Sequence, residues 1–221
     1  SVMNIKKIDK INLRNKRVSI LGAGKSGCAA AELIKTIGGV PFISDSNFKS
    51  SLDLSMYDYE LNGHTCKVLD CELIVISPGI SDRISIAEEA KNIGIPIISE
   101  IELASWYTNK PVLAITGSNG KTTTTNMLHQ IFQTANLNSE IAGNIGIPFS
   151  EKVKQEIISE IDPDLYVIEV SSFQLEHIIH FSPFISSIIN IQPDHLDRYD
   201  NLNDYIEAKI NISNNINQTD V

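Results

Sequence analysis

The strongest chemical signal in the sequence is a glycine-rich loop that ends in Gly-Lys-Thr. The apolar run Val112–Thr116 predicts a strand before it, and the pattern predicts a helix over Thr122–Ala135 after it. Backbone N–H groups of such a loop hold phosphates, Lys121 would reach the terminal ones, and a threonine hydroxyl can bind Mg²⁺. Ile115 stands where the strict pattern needs its first glycine, and Gly117 replaces it, so the loop is a shorter variant. The predicted phosphate contacts of this loop are Gly117, Ser118, Asn119, Gly120, Lys121, Thr122 and Thr123.

Another glycine loop lies nearer the N-terminus. Val18–Leu21 predicts a strand that runs into Gly-x-Gly-x-x-Gly at Gly22, Gly24 and Gly27. These glycines would permit a tight turn, the close approach of a phosphate, and close packing of the next helix. Asp45 follows 18 residues after Gly27, where an acidic residue commonly meets a ribose hydroxyl. A dinucleotide and a UDP-sugar both fit this chemistry, and a tight turn without a ligand is a further alternative.

Two ionisable residues lie at positions in their predicted elements that suggest a chemical role. Glu169 falls near the end of the apolar strand Leu165–Val170, and a carboxylate there can hold Mg²⁺ beside a phosphate loop; an exposed acid without a role is the alternative. Lys209 lies in the apolar stripe of a predicted helix over Leu202–Asn215, and burial favours its neutral amine. The alternative is a packed stem whose head reaches water.

Five motifs, in order, resemble those of the Mur ligase family, ATP-dependent enzymes that form amide bonds in bacterial cell-wall synthesis. They are Thr-Gly-Ser-Asn-Gly-Lys-Thr at 116–122, Gly-Asn-Ile-Gly at 143–146, Glu-Val-Ser-Ser-Phe-Gln-Leu-Glu at 169–176, Asp-His-Leu-Asp-Arg-Tyr at 194–199 and Ala-Lys at 208–209. The third motif is most similar to the branch that adds D-glutamate. The resemblance covers the chain from about residue 17 onward. It implies ATP and Mg²⁺ as cofactors, and UDP-N-acetylmuramoyl-L-alanine and D-glutamate as substrates.

The resemblance also implies roles for individual residues. The implied catalytic residues are Lys121, Glu169, His195 and Lys209. The implied metal contacts are Thr122, Glu169, His195 and Lys209, the last as a carbamate. The implied substrate contacts are Gly24, Lys25, Ser26, Asp45, Ser46, Gly79, Asn144, Ser171, Gln174 and His195. A lone histidine is more often structural, and Asp194, Asp197 and Arg198 could equally form a local ion-pair network. Asn47 stands where we expect a basic residue, which puts the finer uridine contacts in doubt.

Short apolar runs alternate with helical patterns, which predicts βαβ units, a parallel sheet and an α/β fold. We expect a Rossmann-like UDP-binding domain over residues 1–108. Residues 109–221 would be the first, incomplete part of a central ATP-binding domain with a phosphate-loop fold. The boundary is predicted near Thr108–Pro111. The resemblance implies that the amino-acid-binding domain lies outside this chain, so we expect a fragment that is inactive by itself.

Composition excludes several classes of protein. The formal net charge of -9 argues against a nucleic-acid partner. Three cysteines without paired spacing predict reduced thiols, and the absence of a long apolar run predicts a cytoplasmic protein without a membrane partner. An NAD-dependent oxidoreductase would leave the Gly-Lys-Thr loop and Lys209 unexplained. A sibling ligase for another amino acid and a UDP-sugar-binding module remain as alternatives.

Overall fold

The computed structural model describes residues 10–50, 53–144, 146–192, 199 and 201–216. The chain folds into two parallel sheets with helices between their strands. This architecture confirms the α/β class predicted from the alternation of apolar runs and helical patterns. No helix among the described residues is long and apolar enough to cross a membrane.

The first sheet has five parallel strands in the order β3-β2-β1-β4-β5. Its strands are β1 Arg17–Leu21, β2 Val40–Ser44, β3 Asp58–Glu60, β4 Leu73–Ile76 and β5 Ile97–Ser99. Its helices are α1 Lys25–Thr36, α2 Ser85–Asn92 and α3 Glu100–Ser105, with a 3₁₀ turn at Cys66–Leu69. The strand order reverses between β1 and β4, and in open α/β sheets ligands bind at the carboxyl ends of the strands at such a point.

The second sheet has four parallel strands in the order β7-β8-β6-β9. Its strands are β6 Val112–Thr116, β7 Ser139–Gly143, β8 Leu165–Glu169 and β9 Ile185–Ile188. Its helices are α4 Lys121–Thr134, α5 Phe149–Ile157, α6 Ser172–Leu175 and α7 Leu202–Ile210, followed by a 3₁₀ turn at Asn211–Ser213. Since β6 lies between β8 and β9, the segments after these three strands meet at one edge.

Each sheet forms a unit with its helices, the first with α1 to α3 and the second with α4 to α7. One apolar cluster runs through both units. It joins Leu33 and Ile34 of α1 to Leu103 of α3 and to Phe149 and Val153 of α5. All five side chains are fully buried. Burial of large apolar side chains is the main favourable term in folding, so this shared cluster holds the two sheets together.

Most predicted elements are present, with differences at their ends. The apolar run Val40–Ser44 predicts a strand, and β2 has these bounds. The run Ser187–Ile191 also predicts a strand, but β9 begins and ends earlier. The terminal helix ends at Ile210 as an α-helix and then tightens into a 3₁₀ turn. β7 was not predicted, because Ser-Glu-Ile-Ala-Gly carries no clear apolar period. α5 was missed although Phe149, Val153 and Ile157 recur at the four-residue steps of an amphipathic helix. The domain boundary near Thr108–Pro111 stays a prediction.

Candidate functional site

The first candidate site is a cleft of about 480 Å³ where β1 and β4 end. Gly22 has φ +106° in the turn after β1, and a Cβ at Gly27 would lie 1.9 Å from the Gly22 carbonyl oxygen. Both glycines are therefore required by the backbone, as the motif predicts. The cleft is lined by all six residues predicted to hold UDP, which are Gly24, Lys25, Ser26, Asp45, Ser46 and Gly79.

Asp45 ties together the loops that form this cleft. One carboxylate oxygen accepts from the backbone N–H of Ala23 at 2.6 Å, and the other accepts from the backbone N–H of Asn47 at 2.8 Å. The Asn47 side-chain amide also donates to Asp45 at 2.8 Å, so Asn47 supports the loop and carries no charge. Two lysines line the cleft, Lys25 and Lys49. Lys49 was not singled out from the sequence, and its position two residues after Asn47 places a basic group in the same loop.

The second candidate site begins at the glycine loop after β6. Gly120 has φ +83° immediately before α4, so a glycine is favoured there. The Lys121 ammonium donates to the backbone oxygens of Gly117 at 2.9 Å and Ser118 at 3.0 Å. The lysine therefore lies over the loop that would surround the phosphates. Thr122, in the first turn of α4, points its hydroxyl toward the end of β8.

Glu169 is buried at the carboxyl end of β8, with 2% of its surface exposed. It accepts from the Thr122 hydroxyl at 2.9 Å and from the Asn144 side-chain amide at 3.3 Å. β6 and β7 pair with β8 on either side, which brings the segments after these strands to one carboxylate. The structure thus joins three residues that lie far apart in the sequence.

Lys209 is also buried, with 1% of its surface exposed, on the inner face of α7. Its ammonium donates to the Gly117 backbone oxygen at 3.0 Å and lies 4.5 Å from the centre of the Tyr205 ring. Lys121 and Lys209 therefore donate to the same carbonyl. Both lysines line a cavity of about 200 Å³, together with Asn144 and Ser171. The inward orientation agrees with the apolar spacing of the helix, while the carbamate stays a prediction.

Gln174 and His195 have different outcomes. Gln174 is buried and closes a capping box, because its side-chain oxygen accepts from the Ser171 N–H at 3.0 Å and its own backbone N–H donates to the Ser171 hydroxyl at 3.3 Å. Gln174 thus shapes α6 and does not line the cavity, so its contact with substrate stays a prediction. His195 lies outside the described residues. The same holds for the neighbouring ion-pair candidates, Asp194, Asp197 and Arg198.

The segment after β9 supports the glycine loop in a way that was not predicted. The Asn190 side-chain oxygen accepts from the backbone N–H groups of Ser118 at 3.1 Å and Asn119 at 3.0 Å. The Ser118 hydroxyl donates to the Gln192 backbone oxygen at 3.0 Å. Asn190 lies two residues after β9, and an asparagine that close to the end of an apolar strand could have pointed to this contact, since the carboxyl ends of parallel strands share one edge.

Two parallel sheets, each with a glycine loop after a central strand, define a two-unit α/β protein of the kind that binds nucleotides. Residues 17–86 match the MurD N-terminal domain, and residues 115–221 match the Mur ligase middle domain. The chain belongs to the Mur ligase family. Members of this family are ATP-dependent ligases.

Curated relatives agree with this assignment. A UDP-N-acetylmuramoylalanine–D-glutamate ligase from Salinibacter ruber is 42% identical in an alignment that covers 95% of this chain and 47% of that protein. The ligase of the same name from Bacteroides fragilis is 44% identical over 207 residues, covering 90% of this chain and 46% of that protein. The chain therefore spans about half the length of the curated relatives it matches.

A solved structure agrees in fold. The UDP-N-acetylmuramate:L-alanyl-gamma-D-glutamyl-meso-diaminopimelate ligase from Neisseria meningitides matches 91% of this chain and 68% of its own, with a TM-score of 0.59. Its sequence is 20% identical, so this likeness concerns the fold alone.

Proposed function

We propose that this chain is part of a ligase that joins D-glutamate to UDP-N-acetylmuramoyl-L-alanine at the expense of ATP. One observation carries the proposal: Lys121, Thr122 and Glu169 meet at the carboxyl edge of the second sheet in a chain that is 42% identical to a ligase of that name. ATP would phosphorylate the substrate carboxylate, the amine of D-glutamate would attack the acyl phosphate, and phosphate would leave from the tetrahedral intermediate. We propose that the reaction takes place in the cytoplasm, because it would consume ATP and a nucleotide-linked substrate.

The residues of the second site fit the phosphoryl-transfer step. N–H groups of the glycine loop and the Lys121 ammonium would neutralise charge on the transferring phosphoryl group. Glu169 and Thr122 offer hard oxygen atoms 2.9 Å apart in a buried setting, which suits Mg²⁺. When bound there, Mg²⁺ would supply further charge stabilisation for the phosphoryl oxygens. Asn144 would orient Glu169 through its amide, and Ser171 would contact the substrate from the cavity wall.

Lys209 is proposed to act as a carbamate. Its ammonium and that of Lys121 share the Gly117 oxygen, and two like charges so close together repel. The neutral amine of Lys209 would attack CO₂ and lose a proton, which leaves an N-linked carboxylate. This change converts one of the two cations into an anion whose oxygens can bind a divalent metal ion.

The first cleft is proposed to hold the UDP part of the substrate. Gly24 lets the backbone approach the diphosphate, and Lys25 and Lys49 supply positive charge. Asp45 and Ser46 lie at the end of β2, where a ribose or base would meet them. The reversal of strand order between β1 and β4 supports this proposal, because the cleft lies at the point of reversal, where ligands of open α/β sheets bind.

The proposal is tested by binding and by turnover. Calorimetry of this chain against UDP, UDP-N-acetylmuramoyl-L-alanine, ATP and NAD should show binding of the two uridine ligands, weaker binding of Mg²⁺-ATP, and none of NAD. The whole protein should release phosphate with UDP-N-acetylmuramoyl-L-alanine and D-glutamate, and not with L-lysine or L-alanine as the incoming amino acid. Binding of NAD without UDP, or turnover with another amino acid alone, would overturn the proposal.

A further inference from the structure

The short helix α3 carries two buried carboxylates into the region where the two units meet. Glu100 is 1% exposed and Glu102 is fully buried. A buried carboxylate is unfavourable unless hydrogen-bond donors surround it. The donors to each carboxylate therefore show which segments of the chain it holds in place. α3 directly follows β5 of the first sheet, whereas most of the residues that donate hydrogen bonds to its two carboxylates belong to the second unit.

Glu102 accepts four hydrogen bonds, two at each oxygen. One oxygen accepts from the Trp106 indole N–H at 2.7 Å and the His180 backbone N–H at 2.8 Å. The other accepts from the backbone N–H groups of Ile179 at 2.9 Å and Phe181 at 2.7 Å. A carboxylate only accepts hydrogen bonds, so four donors match its ionised form. Three of the four come from consecutive residues of the second unit.

The carbonyl side of the same three-residue segment is held by a residue that follows the Lys209 helix and its 3₁₀ turn. The Asn215 side-chain amide donates to the backbone oxygens of Ile179 and Phe181, each at 3.0 Å. Asn211, directly after α7, donates to the Leu175 backbone oxygen at 3.2 Å. Glu102 therefore fixes a segment that follows α6 in the chain and is bonded to Asn215, which lies just beyond the Lys209 helix and its 3₁₀ turn.

Glu100 holds a different part of the second unit. One of its oxygens accepts a short hydrogen bond from the backbone N–H of Ser150, and the Ser150 hydroxyl donates to the Glu100 backbone oxygen at 3.4 Å. Ser150 lies in the first turn of α5, where free N–H groups favour a carboxylate. The loop before α5 begins after Asn144, which donates to Glu169.

We propose that Glu100 and Glu102 are positioning residues for the ligase reaction. From one helix of the first unit they hold two parts of the second unit that adjoin the cavity wall in the chain. These are the start of α5, which follows the loop after Asn144, and the segment at 179–181, which follows α6. This inference rests on the proposed function, because it assigns the two carboxylates to the phosphoryl-transfer site. They also couple the two units, since the helix that holds both segments continues from the sheet that forms the first cleft.

The test uses Glu102→Gln in the whole enzyme, with the exposed Glu89→Gln on α2 as the matched control. The new NH₂ group would face two N–H donors, so the segment at 179–181 should detach. We expect kcat per folded enzyme to fall by about 10-fold or more, because small misplacements of reacting groups have effects of this size. The KM for UDP-N-acetylmuramoyl-L-alanine should stay within about twofold of wild type, since the UDP cleft is formed by the first unit. Amide exchange at Ile179 and Phe181 should accelerate.

A second pair of variants keeps the test decisive if Glu102→Gln fails to fold. Glu100→Gln retains an oxygen for the Ser150 N–H and should keep kcat near wild type, whereas Glu100→Ala removes it and should lower kcat. Equal kcat per folded enzyme in wild type, Glu100→Ala and every folded Glu102 variant would overturn the positioning role. A wild-type enzyme without ligase activity would instead overturn the proposed function, so the two failures are distinguishable.

Discussion

The cleft of the first sheet and the cavity of the second are built from different parts of the chain. Around the cleft, backbone turns dominate, and a Cβ added at Gly24 would meet no atom within 4 Å. Around the cavity, side chains hold one another: Thr122 contacts Glu169, and two lysines share the Gly117 oxygen. Ligand binding can therefore be altered at the first site without altering the fold, whereas at the second site both change together.

The largest expected effect is that of Lys121→Ala at the second site. The substitution removes the ammonium proposed to contact the phosphates and also its bonds to the loop oxygens. We expect a loss of at least about 100-fold in kcat for phosphate release, which corresponds to about 3 kcal/mol. The exposed Lys67→Ala in the 3₁₀ turn of the first unit is the control. Wild-type turnover in Lys121→Ala would show that the loop does not hold the transferring phosphate.

Glu100 of the first unit contacts Ser150 of the second unit, and ionisation of Glu100 should weaken this contact. Burial raises the pKa of Glu100 to about 7, from 4.5 for an exposed glutamate. The contribution of this group to stability is thus complete below pH 4.5 and is lost as the pH rises through 7. Glu100→Gln should remove about 3 kcal/mol of that pH dependence. Urea unfolding of both proteins at pH 5 and pH 8 measures it, and parallel pH profiles would contradict the pKa assignment.

Lys209→Ala tests whether the inner lysine has a chemical role beyond packing. We expect about a 30-fold loss of activity, or about 2 kcal/mol. Added formate or acetate should restore part of it by supplying the carboxylate that the carbamate would provide. In wild type, ¹³C-labelled bicarbonate should give a carbamate signal that Lys209→Ala lacks. Activity that no carboxylate restores, together with an absent carbamate signal, would leave Lys209 with a packing role alone.

Gly24→Val should have the smallest effect and one confined to binding. A Cβ at Gly24 has no protein atom within 4 Å, so a valine should obstruct the diphosphate at little cost to the fold. UDP affinity should fall by about 10-fold, or 1.4 kcal/mol. The melting temperature should change by about 1 °C or less. Gly27→Ala is the contrasting variant, because its Cβ would lie 1.9 Å from the Gly22 oxygen and the fold should be lost. Unchanged UDP binding by Gly24→Val would remove the distinction between the two sites.

Sequence periodicity was sufficient where a strand is buried on both faces. β2 and β6 are apolar runs bounded by turns, and their predicted bounds agree with the structure. The predicted end of β9 was too late, because the pairing of β9 with β6 ends at Thr116 opposite Ile188. Beyond that point the chain turns to direct Asn190 at the glycine loop, which an apolar run in one sequence does not reveal.

The candidate site was predictable where a motif carries its own chemistry. Lys121, Thr122 and Glu169 stood out by residue type and element, and parallel-strand geometry brings them together. The positioning role proposed for Glu102 was not predictable, because it depends on four hydrogen-bond donors. Three of these donors are 77 to 79 residues away in sequence. A carboxylate in a short helix is ordinarily a surface residue, and only the tertiary structure shows otherwise.

The hydrogen bond from Lys209 to Gly117 has a consequence for biosynthesis. It joins residues 92 positions apart, and Ser118 is likewise bonded to residues 72 and 74 positions further on. The glycine loop leaves the ribosome early, but its full set of contacts forms only after α7 has emerged. A nascent chain that ends before residue 202 should therefore hold ATP poorly even when its first sheet is folded and binds UDP. Ribosome-stalled chains of increasing length would acquire the two nucleotides in that order, first UDP and later ATP.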